Sequence, residues 1–231
     1  MHQSESGERV SQHRSAPFAA PLMRSVRRQR QPLYTLMVMF LMHKPSEQEV
    51  KAFISLQKDK PFSYSPTGIT NNPPASGYNV DHNRVQLGSG IQCFTDAVAA
   101  IQRWKMFDIN WVRLFWPDTP IQTGSTVAVV VKHLGFWSMN ACRIAYVVEE
   151  SNERQRYGFA YGTLPGHAER GEESFTVEWN KQDETVWYDI LAVSKPGRLA
   201  MMGYWYARRL QKRFAHDSKE AMKRAVAESG V

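Results

Sequence analysis

From Trp111 to Ser194 the apolar residues recur at every second position for roughly eighty residues, and this more than anything else limits what the chain can become. A period of two sustained that long fits a succession of β-strands and no helical architecture. Strands are expected at 111–116, 125–134, 138–149, 154–164, 172–180 and 185–194, parted by short polar or Gly/Pro turns. Connections that short join antiparallel neighbours, so the strands form a meander.

A sheet with one apolar face has to cover it. The chain returns to helical spacing over 198–226, with Leu199, Met202, Tyr206, Leu210, Phe214, Ala221 and Ala225 on one stripe and most of the basic residues outside it. Upstream, Leu33 to Met42 reads as a first strand. Ser46 with Glu49 forms a capping box that opens a helix over 46–58, and a second helix is expected over 92–106. The prolines and glycines of Pro61 to Tyr78 mark a loop, and Val85 to Leu87 a short extended piece. The order is strand, two helices, six-strand meander, long terminal helix. It defines an α+β chain of the helix-grip class, in which a curved antiparallel sheet wraps the last helix and encloses a cavity. One domain over 33–228 is expected, after a disordered basic leader over 1–32.

The chain has 231 residues and a net charge of +7, and that charge belongs to its ends. The leader carries six arginines against Glu5 and Glu8, whereas the middle is slightly acidic. The basic ends leave contact with an anionic membrane surface open, but no aromatic residue interleaves the leader's arginine cluster (Arg24, Arg27, Arg28 and Arg30), which disfavours nucleic acid as a partner. The apolar run at 33–42 follows arginines as a signal peptide would. It is too short to span a bilayer, and His43-Lys44-Pro45 replaces a cleavage site, so no transmembrane segment is expected. Met37 and Met39 leave a later start open. Two cysteines cannot build a disulfide framework, which points to a reducing, cytoplasmic setting.

Chemistry concentrates between Tyr157 and Phe175. Pro165-Gly166 makes a tight turn that presents His167, Glu169 and Arg170. In the strand that follows, alternation puts Phe175, Val177 and Trp179 on the apolar face, with Glu173 at its mouth and Glu172 outside. A carboxylate entering an apolar space has its pKa raised, as a general acid or a ligand anchor requires. The structural alternative is an ion pair with Arg143 or Arg170 that ties strands together. Three more polar residues interrupt apolar alternation: His133 (with Val127, Val129 and Val131), Arg143 (between Ala141 and Ala145) and Asp189 (with Trp187, Leu191 and Val193). Pointing inward, they would join Tyr161, His167 and Glu173 as the few polar groups of a small-molecule site. The small residues Gly158, Ala160 and Gly162 are expected to let the terminal helix lie close to the sheet. Gly88-Ser89-Gly90 lacks the third glycine of a dinucleotide fingerprint, and His167-Ala168-Glu169 has no partner cysteines for zinc, so neither cofactor nor metal is expected.

The run YGFAYGTLPGHAERGEESF, with Val186-Trp187-Tyr188, Ser194-Lys195-Pro196 and Arg208 to Phe214, resembles an uncharacterised family with the hallmark YGTLPGHxxxGEE. The resemblance runs from about Met39 to Met222, and the position of Lys195 is more often Arg in that pattern. The family is similar to the START-like SRPBCC superfamily. That implies a cavity for a hydrophobic or amphipathic small molecule, in some members with catalysis, and it supplies no catalytic residues. Three functions follow as expectations: a pocket protein, an acid-base enzyme using Glu173 or His167 in the same cavity, and a binder of nucleic acid or anionic membrane through the terminal helix.

Overall fold

A computed structural model describes residues 40–196 and 204–229, and the leader, most of the expected 33–42 strand and residues 197–203 lie outside them. Seven antiparallel strands form one sheet in the order β2-β8-β7-β6-β5-β4-β3. They are β2 (Asn79–Ser89), β3 (Val112–Phe115), β4 (Thr126–His133), β5 (Phe136–Ser151), β6 (Arg154–Thr163), β7 (Glu169–Asn180) and β8 (Thr185–Pro196). A two-residue β1 (Phe40–Leu41) pairs with Ser138 and Trp137, on the part of β5 that β6 does not reach. Among the described residues three helices accompany the sheet, α1 (Glu47–Gln57), α2 (Gly90–Gln102) and α3 (Tyr204–Ser229), with a 3-10 turn at Lys105–Phe107.

The six meander strands stand where alternation placed them. The structure corrects the start of the grip. Its first long strand is β2, eleven residues paired along β8, where the sequence suggested only a short piece at Val85–Leu87. Asp81, His82, Asn83 and Arg84 hide it, because an edge strand needs apolar residues only where it meets the core, here Val85 and Leu87. Helix α2 stops at Gln102, and the backbone turns at Trp104 (φ 55°) into the 3-10 turn. The capping box holds: the Glu49 N–H donates to Ser46 Oγ, and the Ser46 N–H to Glu49 Oε2.

Each face of the sheet has its own core. On the concave face Val127, Val129, Cys142, Ile144, Phe159, Phe175, Val177, Tyr188 and Ile190 pack with α2, the 3-10 turn and α3. On the opposite face α1 sets Val50 and Phe53 against Ala128, Val130, Met139, Ala141 and Leu164. Beside α1 the 61–78 loop places Tyr64 and Ile69 on Val193.

Parity was therefore legible, but which parity faces α3 was not, and two candidate residues move. Arg143 lies on the outer face, donating to the carbonyls of Lys58 (2.9 Å) and Lys60 (3.0 Å) and lying over Phe62. Asp189 is also outside, bonded to His82 at 2.7 Å and paired with Arg84. The small residues are corrected too. A Cβ on Gly162 would stand 2.2 Å from Tyr64 Oη, so this glycine admits the loop on the outer face, not the terminal helix.

Candidate functional site

Strands β6 and β7 pair with Tyr161 opposite Glu173 and Gly162 opposite Glu172. Alternation then sends the two glutamates to opposite faces.

Glu172 is 2% exposed although nothing in its own strand covers it. It lies beneath the 61–78 loop and accepts four hydrogen bonds, from Tyr64 Oη (2.5 Å), Gly68 N (2.8 Å), Thr70 N (3.1 Å) and Thr70 Oγ1 (2.5 Å). Donors of that number stabilise a buried carboxylate without a cation. The sequence placed Glu172 outside. The parity was right, and the loop that covers it carried no signal of where it would lie.

Glu173 faces the concave side, half-buried, and accepts a 2.9 Å hydrogen bond from Tyr161 Oη. Among the described residues it forms no ion pair: Arg143 is behind the sheet, and Arg170 shares the alternation of Glu172. Burial pushes its carboxyl up to about 7, the Tyr161 hydrogen bond opposes this, and the charges of Glu169 and Asp81 add to it.

Those two neighbours belong to a network that the sequence did not suggest. Asp81 of β2 accepts from both terminal guanidinium nitrogens of Arg208 of α3, at 2.7 Å for Nη2. From the next turn, Gln211 donates to Glu169 and to Ser194 Oγ (3.2 Å). Burial raises the Glu169 carboxyl, against its bonds from Gln211 and Ser194 and the charge of Arg208. Two signals would have found it: Glu169 has the parity of Glu173, and Arg208 and Gln211 are three apart on one helix face.

The other predicted residues stand apart from Glu173. His167 Nδ1 accepts the Glu169 N–H at 3.0 Å, and burial holds its imidazole down to about 4. Its ring is therefore neutral near pH 7, with the proton on Nε2 free to donate. His133 ends β4, its ring centroid 5.8 Å from that of Tyr206 in the first turn of α3, and burial lowers its pKa.

The space expected to be an apolar cavity is occupied at the level of Tyr161. Phe107 from the 3-10 turn and Phe214 from α3 meet at 5.4 Å between ring centroids, and Phe107 also meets Phe175 (5.6 Å) and Tyr161 (6.2 Å). The polar side of the site is the network of Asp81, Glu169, Ser194, Arg208 and Gln211, in which the charges of Glu169 and Asp81 reach Glu173. Among the described residues no three His, Cys, Asp or Glu side chains gather as a metal site would need. No described helix is long and apolar enough to cross a membrane.

Residues 63–221 match the model of a domain of unknown function, DUF1990. The chain is 36% identical over 207 residues to a UPF0548 protein of Dictyostelium discoideum, covering 81% of this chain and 96% of that one. It is 37% identical over 154 residues to a UPF0548 protein of Arabidopsis thaliana, covering 65% and 74% respectively. Among solved structures, human STARD10 superposes with a TM-score of 0.44 at 11% identity, over 80% of this chain and 81% of that chain.

Proposed function

The chain belongs to the UPF0548 family, and from that premise we propose that it is a pocket protein that binds an amphipathic small molecule at the polar end of its helix–sheet crevice. One observation carries the reading. Glu173 is a half-buried concave carboxyl with no described cation partner, held by a single described side-chain hydrogen bond from Tyr161. Glu172, its neighbour in sequence, is fully satisfied by the loop, which is how a structural carboxylate looks. In this reading Tyr161 and Glu173 fix the polar end of the ligand, and Phe214 lies under the apolar part. Cys93 and Cys142 are both free thiols, which supports a reducing, cytoplasmic setting.

Native mass spectrometry and solvent extraction of the purified chain test this. A bound small molecule is expected, reduced in Glu173→Ala and Tyr161→Phe. An empty chain that no panel of amphipaths stabilises against heat overturns it.

A second reading is acid-base catalysis by Glu173. The observation favouring it is a carboxyl near 7, present in both protonation states at neutral pH. Glu173→Gln keeps the shape and removes the proton. Unchanged turnover of the extracted ligand in that variant removes this reading and leaves the first intact.

A further inference from the structure

The β4–β5 hairpin turns in two residues, Leu134 (φ 49°) and Gly135 (φ 79°). Both central positions of such a turn need positive φ, which suits Asn, Asp or Gly and costs a branched side chain. Leu134 nevertheless occupies the first of them, and it is 75% exposed, so no contact within the fold offsets the strain. Phe136, just past the turn, is 42% exposed.

The contact of His133 with Tyr206 brings this tip against the first turn of α3, where Trp205 is 85% exposed. Among the described residues three large apolar side chains, Leu134, Phe136 and Trp205, are thus exposed near this contact, from two elements far apart in sequence. Within these two elements the charge near the tip has one sign. Lys132, Arg209 and Lys212 are exposed, and none forms an ion pair among the described residues. The whole of 126–148 has no carboxylate, and neither does α3 before Asp217.

We propose that the β4–β5 tip and the first turn of α3 form a docking surface for an anionic lipid bilayer, with Leu134 and Phe136 entering the acyl boundary, Trp205 at headgroup level and Lys132, Arg209 and Lys212 on the anionic headgroups. Each part has its physical reason. Apolar side chains gain by leaving water at the acyl boundary, indole favours the interface, and lysine and arginine are attracted by the surface potential. Phe136 and Trp205 offer bases a stacking plane as well, so the commitment to a bilayer over a nucleic acid rests on Leu134, an exposed aliphatic side chain held in a strained turn, which gives bases neither stacking nor a hydrogen bond.

Flotation of the full chain with phosphatidylcholine vesicles, with and without phosphatidylserine, tests this against an RNA and a DNA oligonucleotide. Binding is expected only with phosphatidylserine and should weaken with salt. Leu134→Asn should reduce it at least about five-fold while the melting temperature holds or rises, because Asn accepts the left-handed backbone. Trp205→Ala should weaken it similarly, and Arg209→Glu with Lys212→Glu should abolish the preference for phosphatidylserine. Vesicle binding unchanged in Leu134→Asn and Trp205→Ala would place the contact elsewhere, for instance on the basic leader, and overturn the proposal. So would absence of binding to acidic vesicles, with or without binding to the oligonucleotides.

Discussion

Tyr161 and Glu173 occupy facing positions of β6 and β7, and the hydroxyl of one donates to the carboxylate of the other at 2.9 Å on the concave side of the sheet. The hydrogen bond favours the ionised carboxylate, yet burial outweighs it and the carboxyl rises to about 7 from its ordinary 4.5.

That rise is also a statement about stability. A carboxyl whose folded value exceeds its unfolded one contributes stability that is fully present below about pH 4.5 and lost as pH rises through about 7. Denaturant midpoints across that window should show the native chain losing on the order of 1–2 kcal/mol from this group, the half-buried position being discounted for solvent screening. Glu173→Gln should flatten that slope. A parallel slope in the variant would assign the loss to other groups.

Glu172 supports the fold in a different way. Glu172→Ala leaves Tyr64 Oη, Thr70 Oγ1 and the Gly68 and Thr70 amides without their acceptor, and should cost about 3 kcal/mol in urea unfolding. Tyr64→Phe, which removes one donor of the set, should cost about 1 kcal/mol. Neither should change ligand binding on the concave face.

Gly162 is constrained by the ring above it. A methyl group there would stand 2.2 Å from Tyr64 Oη and 2.6 Å from its Cε1, so Gly162→Ala should cost about 1–3 kcal/mol. In a Tyr64→Ala background the same change should cost much less. A double-mutant cycle measures the difference, and additive costs would show that the clash relaxes elsewhere.

Phe107 fills the space between α3 and the sheet, touching Phe175, Phe214 and Tyr161 in one ring cluster. Phe107→Ala should cost about 3–5 kcal/mol and open a void under Tyr161. The variant should then gain thermal stabilisation from small apolar solutes that do not affect the native chain. Collapse of the cluster into the void would appear as the cost without the gain.

The meander, the terminal helix and the α1 cap were legible because alternation, helical spacing and a capping box are local signals. The parity of β7 was legible too, and it separated Glu173 from Glu172 correctly. What could not be read was which side of the sheet curves around α3. In β4 both faces are apolar, Val127 and Val129 toward α3 and Ala128 and Val130 toward α1, so Arg143 and Asp189 had no local marker of their side. The cover over Glu172 was invisible because a loop rich in proline shows where helices and strands stop, not where the chain goes next. Arg208 read as part of the basic face outside the apolar stripe, Gln211 carried no reading, and their partners Asp81, Glu169 and Ser194 come from three different strands.

The proposed function rests on Glu173 as an uncompensated carboxyl on the concave side of the sheet. Carbon-13 NMR titration of its side-chain carboxyl, assigned by loss of the signal in Glu173→Gln, measures this directly. The expected midpoint lies near 7 and moves when an extracted or added ligand binds. A midpoint at the ordinary 4.5, unmoved by any ligand, would mean the group is simply solvated and would contradict the account.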